Sequence, residues 1–400
     1  MEHRIAMHPS SAPPVARRTL LVIAALAASA VLSFAAVSRL VTRLKANEKR
    51  FAWRAYEAGL NQVRSGRPEL ALDDFRAALS YDRDNPQYQL SLARVLRDTG
   101  RLEESEAYLL RLWSATPEDS AVNLALARLA VRRHSLDDAI RYYHSAIYGF
   151  WPSDPNQNRR DTRLELIDFL LQQNALPQAQ AELIALTQVL PPDPQPHLQV
   201  AALFLRAQDL PNALAQYKAA LKTSPRNFEA LAGAGTTAFQ MGRYRTAFSY
   251  LQKAVAANSN DPEAQALLQT AAAVLSADPF MGRLSDAERN RRILAAFRRA
   301  GTRLVSCARA KQIHLPPAPA HSKAPASPPA GDDLPSLWAR WQSAWPQLRH
   351  LKAPSNEDLP DALMDLVFTI EQQTRRQCGE PAGLDRALLL MASNRETADQ

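Results

Sequence analysis

Two cysteines in 400 residues exclude a disulfide framework and a cysteine-based zinc site, and leave room for one bridge. Glycine is scarce, at 12 residues, while Ala, Leu and Arg are plentiful, a composition that favours helix. There is no phosphate-binding loop and no His-Glu-x-x-His pair, and the eight histidines show no metal-ligand spacing. His314 and His321 fall in a proline-rich segment. One near-match to a cofactor motif exists. Gly233 to Ala238, GAGTTA, fits G-x-G-x-x-A, but it lacks the preceding strand and βαβ context that a dinucleotide site needs. No nucleophile lies beside a plausible base. The expectation is therefore no enzyme, no cofactor and no metal. A net charge of +8 fits a polyanionic partner, an anionic membrane surface or an Arg-rich proteome equally.

The clearest local signal is Thr19 to Ser38, TLLVIAALAASAVLSFAAVS, a charge-free run following a tail over 1–18. About 20 apolar residues are what a helix needs to cross a bilayer. The run is read as an uncleaved anchor over 19–38, with a cleaved signal peptide as the alternative, since such signals have a shorter apolar region. Orientation is divided. Arg39, Arg43, Lys45, Lys49 and Arg50 after the run outnumber Arg4, Arg17 and Arg18 before it, which favours a cytoplasmic soluble part. A short N-terminal tail and a possible disulfide favour the opposite, extracytoplasmic side, which is the side preferred here.

The long middle section repeats with a step of 34. Gly66, Gly100 and His134 keep it, as do Ala71, Ser105 and Ala139, then Phe75, Leu109 and Tyr143, and Ala78, Leu112 and Ala146. Gly59, Ala93 and Ala127 keep it on the preceding segment. Downstream, Ala179, Ala213 and Ala247 resume it, with Leu183, Tyr217 and Leu251, then Leu186, Ala220 and Ala254. Pro117, Pro191 and Pro225 close three units. Between Ala139 and Ala179 the step is 40, so six extra residues fall near 148–160, in GFWPSDPNQNRR.

This pattern resembles the tetratricopeptide repeat: small residues at two crossing positions, a large apolar residue between them and proline near the end of the unit. The resemblance implies an all-α solenoid over 52–277, with about six helical hairpins at 52–85, 86–119, 120–153, 160–193, 194–227 and 228–261, and Pro262–Ala277 as a closing helix. It also implies a groove, lined by the first helix of each pair, that takes protein or peptide segments. As a whole the chain looks like the membrane-anchored tetratricopeptide proteins of bacteria. That likeness implies a scaffold or adaptor at the inner membrane, with its soluble part periplasmic, serving envelope assembly or secretion. A cytoplasm-facing adaptor and a basic solenoid for a polyanion are the alternatives; nucleic acid is not expected.

Within the array, Arg94 and Arg128 recur at the 34 step, with Arg97 and Arg132 about a turn further on. They can form a basic stripe for acidic or carboxylate-ended peptides, or a solvated charged face. The Lys/Asn columns of chaperone-tail-binding members are absent, so that activity is not implied. Tyr148, Trp151, Arg159 and Arg160 can make the spacer a binding loop; alternatively its aromatics, with Phe150, plug a widened seam.

After the array comes a basic amphipathic helix over 283–311, with Ser285 and Glu288 as a capping box and Ile293, Leu294, Phe297, Leu304 and Val305 as an apolar stripe. It can bind membrane headgroups or nucleic acid; the preferred expectation is that it docks on the end of the solenoid with its arginines facing water. A proline-rich linker follows over 312–333, then a helical extension over 334–400 carrying Trp338, Trp341 and Trp345 at helical spacing. If Cys307 and Cys378 pair, the linker becomes a closed loop and the tail is fastened.

Overall fold

The computed structural model describes residues 14–316, 331–352 and 358–398. Most of the tail before the apolar run, and most of the proline-rich linker with His321, lie outside the described residues. The chain forms two compact units, residues 1–169 and 170–400. All regular structure among the described residues is helical apart from one isolated bridge, between Asp119 and Phe150.

The first unit holds α1 (Pro14–Arg64), α2 (Pro68–Tyr81), α3 (Pro86–Asp98), α4 (Leu102–Ala115), α5 (Ser120–Arg132), α6 (Leu136–Tyr148) and most of α7 (Pro155–Gln172). The second begins at the end of α7 and continues with α8 (Leu176–Thr187), α9 (Pro194–Arg206), α10 (Leu210–Thr223), α11 (Phe228–Gln240), α12 (Tyr244–Ala257) and α13 (Pro262–Ala277). Then come α14 (Asp286–Ala310), α15 (Leu334–Ala344), a 3-10 segment (Trp345–Lys352), α16 (Leu359–Cys378) and α17 (Gly383–Ala398).

The repeating columns have one physical cause. Ala71, Ser105, Ala139, Ala179, Ala213 and Ala247 are all fully buried, so the two helices of a hairpin approach closely there. Ser105 uses the proximity to donate its hydroxyl to the Ala93 carbonyl at 2.7 Å. The large column, Phe75, Leu109, Tyr143, Leu183, Tyr217 and Leu251, fills the space beside the crossing. Burying one such side chain contributes on the order of 2 kcal/mol. Gly235 belongs to this packing: a Cβ there would meet the Leu251 side chain at 2.7 Å, which explains the glycine without a nucleotide.

Two further columns set the turns. The second residue past the first helix of each hairpin lies in the left-handed region: Gly66, Gly100, His134, Asn174, Gln208 and Gly242. Helix starts are capped on the same period. Asn85, Asp119, Asp193, Asn227 and Asp261 each accept a backbone N–H from the first turn of the helix that follows, at 2.7–3.1 Å for the shortest bond.

The run at Thr19–Ser38 is part of α1, which continues without a break into the first helix of the first hairpin. From Leu21 to Phe51 every residue is exposed; burial starts at Ala52, where the packing with α2 begins. The helix is long and apolar enough to cross a membrane by length and composition, a property shared by signal sequences.

In the second unit, α14 is a central helix rather than a peripheral one. Ile293, Phe297, Ala300 and Leu304 join Leu337, Leu363, Met364, Val367 and Leu388 in one core, with Tyr244 and Val274 from α12 and α13. Leu294 and Val305 are half-buried at its edges. Ser285 caps it, accepting from Glu288 N at 3.3 Å. Cys307 and Cys378 form a disulfide, Cα to Cα 5.8 Å, that ties α14 to the end of α16.

The expectation that the arginines of α14 simply face water is corrected here. Arg292 pairs with Glu288 and donates to the Leu275 and Asp278 carbonyls. Arg299 forms a two-pronged bond to Asp385. Arg303 lies 3.0 Å from Glu371 and donates to Thr374 and to the Gly379 carbonyl. These side chains knit α14 to α16 and α17.

Candidate functional site

Helix α3 buries Leu92, Ala93, Val95 and Leu96, which leaves Arg94 and Arg97 on the shoulders of the buried face. One repeat later, α5 presents Arg128 in the same way. The Arg128 guanidinium grips Glu165 of α7 with two bonds, 2.8 and 2.7 Å. The Tyr143 hydroxyl of α6 donates to the same carboxylate at 2.8 Å. Burial works against the Glu165 charge, but the Arg128 and Tyr143 bonds and the nearby Arg97 outweigh it and hold its pKa below the usual carboxylate range. The hydrogen bond to Glu165 raises the Arg128 pKa against the effect of burial. Burial, and then Glu165, push the Tyr143 phenol well up, so it stays a donor.

The charges do not balance. Arg97 spends Nε and Nη2 on its neighbour Asp98, at 2.9 and 2.7 Å, while its Nη1 is buried without a partner. Arg94 has no ion pair among the described residues, and its Nε is buried and unbonded. Burial first, then Arg128 and Arg97, push the Arg94 pKa below its ordinary value. A guanidinium stays charged in proteins, so the first unit carries a partly desolvated cation with no anionic partner among the described residues.

Sequence reasoning placed Arg94, Arg97 and Arg128 together but missed Glu165, which converts Arg128 into a structural strut; Arg97 is held by Asp98 with one buried nitrogen left over, and Arg94 has no ion pair among the described residues. Arg132 is exposed and has no ion pair among the described residues. Its neighbour Arg133 pairs instead with Glu103 and Glu106.

The spacer forms a second feature of this unit. Six residues, 149–154, are non-helical; those from Pro155 onward lengthen α7 at its start. Phe150 N donates to the Glu118 carbonyl at 2.8 Å, and Ser120 N donates to the Phe150 carbonyl at 3.2 Å. Gly149 makes this contact possible, since a Cβ there would lie 2.6 Å from the Glu118 oxygen. Trp151 is half-buried and donates its indole N–H to the Ala146 carbonyl at 2.9 Å. The seam-plugging expectation is corrected for the other two aromatics: Tyr148 is 70 % and Phe150 64 % exposed. Arg163 holds Tyr148 in place, bonding its hydroxyl at 3.0 Å with the guanidinium 5.6 Å from the ring centre. Arg159 is exposed and reaches the Gly149 carbonyl at 3.4 Å; Arg160 bonds Gln157. Among the described residues no group of three or more His, Cys, Asp or Glu is placed to hold a metal ion.

A family model described as the tetratricopeptide repeat matches residues 62–129 and 204–271. The chain carries tetratricopeptide repeats. Both matched stretches fall within the hairpin array, and the fold is that of a protein–protein interaction scaffold. Solved structures of similar fold include PilF of Pseudomonas aeruginosa, 16% identical, with a TM-score of 0.37, covering 55% of this chain and 97% of that one. PilW, described as a widely conserved type IV pilus biogenesis factor, is 17% identical, with a TM-score of 0.35, covering 54% of this chain and 98% of that one. YrrB, described as a tetratricopeptide protein with an unusual peptide-binding site, is 17% identical, with a TM-score of 0.34, covering 48% and 95%. No curated protein matches the sequence.

Proposed function

We propose that this protein is a membrane-tethered scaffold whose first repeat unit captures acidic or carboxylate-ended peptide segments at Arg94 and Arg97. The observation that carries the reading is the Arg94 guanidinium, partly desolvated and without an ion pair among the described residues. A peptide carboxylate supplies what it lacks, as a charge-assisted bond in a screened setting. Tyr148 and Phe150 add exposed aromatic area on the same unit, with Arg159 beside them. The apolar part of α1 acts as the membrane anchor. The disulfide supports a periplasmic soluble part, because such bonds persist in oxidising compartments. That placement fits a role in envelope assembly or secretion; no catalytic role is assigned.

The binding test uses a fluorescent hexa-aspartate peptide and its C-terminally amidated form. Arg94→Gln together with Arg97→Gln is expected to weaken binding at least about tenfold. Equal binding by the variant sinks the site, and a loss on amidation alone assigns the contact to the terminal carboxylate. A second reading, the cytoplasm-facing adaptor, is favoured by one observation, the five cationic residues Arg39, Arg43, Lys45, Lys49 and Arg50 just after the apolar run. Labelling with a membrane-impermeant thiol reagent, with and without reduction, separates the two. Labelling that needs reduction but not lysis supports the periplasmic side. Free thiols reached only after lysis support the cytoplasmic one.

A further inference from the structure

The second unit contains a cleft of about 510 Å³ between α14 and the segment that follows the linker, α15 with its 3-10 extension. Trp338, Trp341 and Trp345 form one wall. The outward face of α14 forms the other, with Arg298 and Arg309 at its ends and Thr302 and Ser306 between them. Gly301 sets the geometry. A Cβ there would fall 2.5 Å from the Trp341 ring, so the glycine lets this indole lie against the α14 backbone. Trp341 is then locked, its N–H donating to the Phe297 carbonyl at 2.9 Å and its ring stacked on Phe297 at 5.3 Å. Trp338 stacks on it in turn, at 5.0 Å with planes 8° apart, and Trp345 lies 4.9 Å away and 40 % exposed. This is a preformed aromatic shelf.

The polar groups restrict what can lie on it. Arg298 and Arg309 have no ion pair among the described residues, and the lining contains no carboxylate and no carboxamide. The Thr302 and Ser306 hydroxyl hydrogens are already given to the Arg298 and Thr302 carbonyls. The cleft thus offers flat apolar area and strong donors. A neutral sugar, whose hydroxyls also need acceptors, is a poor match. A proline-rich polypeptide is a good one: its prolines have carbonyls and no N–H, its rings pack flat on indoles, and its extended helix is ordered before binding. The chain already makes this contact at the rim. Trp338 donates its indole N–H to the Pro316 carbonyl at 2.8 Å, and the Gln342 amide reaches the same oxygen at 3.5 Å.

We propose that this cleft docks a proline-rich segment, in the polyproline II conformation, of a partner protein. The proposal is independent of the Arg94 site, which lies in the other unit. The test is fluorescence anisotropy of labelled decaproline, with a Gly-Ser decapeptide as control, on the full chain in detergent micelles. A second host carries serine at Pro317, Pro319, Pro325, Pro328 and Pro329, because the chain's own proline-rich run can compete for the shelf. Saturable decaproline binding that resists added salt is expected in at least the second host, with none for Gly-Ser. Trp345→Ala should weaken it about tenfold with an unchanged circular dichroism spectrum, and Arg309→Gln should weaken it without touching the aromatic stack. No decaproline binding in either host overturns the proposal. So does equal binding by Trp345→Ala, or binding of heparin or oligo-dT but not of decaproline.

Discussion

Glu371 offers the sharpest test of how the C-terminal helices hold together. It is fully buried in α16. Arg303 lies 3.0 Å from one of its oxygens but gives its hydrogen bonds to Thr374 and the Gly379 carbonyl, and neither carboxylate oxygen of Glu371 accepts one. Asp385 lies 3.8 Å from Arg303 and shares its charge. Burial, then Asp385, push the Glu371 pKa up from 4.5 to about 8. The folded state therefore binds this proton more tightly than the unfolded chain does. The associated stability is fully present below pH 4.5 and is lost as pH rises through about 8. At about 1.4 kcal/mol for each pH unit, the loss from this group reaches about 5 kcal/mol, an upper figure because relaxation and water entry reduce it. The assay is guanidinium unfolding at pH 5, 7 and 9, followed by tryptophan fluorescence. Glu371→Gln, a neutral isostere of the protonated acid, should flatten the decline, matching the parent near pH 5 and exceeding it at pH 9. A parent whose stability does not fall between pH 5 and 9, or a variant that keeps the same slope, refutes the reasoning.

Three other outcomes are expected. Reducing the Cys307–Cys378 bond, which closes a separation of 71 residues, should cost about 4 kcal/mol on the loop-entropy estimate, read as a lowered unfolding midpoint with dithiothreitol. His134 and Gln208 hold positive φ where three sister turns have glycine, so His134→Gly or Gln208→Gly should stabilise by about 1 kcal/mol in thermal unfolding. Gly149→Ala should destabilise by roughly 1–3 kcal/mol and speed amide exchange at Phe150 and Ser120, because the added methyl strikes the Glu118 carbonyl.

The array was legible because its packing repeats. A hairpin that must bury small residues at one crossing writes the same column every 34 positions, and Ala71 through Ala247 display it. The αL column was half visible through Gly66 and Gly100, but Asn174 and Gln208 hid it by holding the same conformation without glycine. The caps at Asn85, Asp119, Asp193, Asn227 and Asp261 were equally periodic and could have been counted. Glu165 was not readable, since its partners come from α5 and α6 and no local rule links them. Glu371 left a trace: Leu363, Met364, Val367, Ile370 and Thr374 trace a buried helical stripe that runs through its position. The spacer aromatics resisted reading because exposure depends on which carbonyls the loop finds, and it found those beside the α5 cap.

The absence of any joint in α1 has a mechanical consequence. On the proposed topology, the residues between Ser38 and Ala52 form a stiff post, and at 1.5 Å per residue they lift the first hairpin roughly 20 Å above the apolar stretch. A helix also transmits angle. Each residue added to that post turns whatever stands on it by about 100° about the helix axis. The bilayer would thus set not only the height of the first hairpin but its compass bearing, and a partner approaching along the membrane would meet a face chosen by the length of the post.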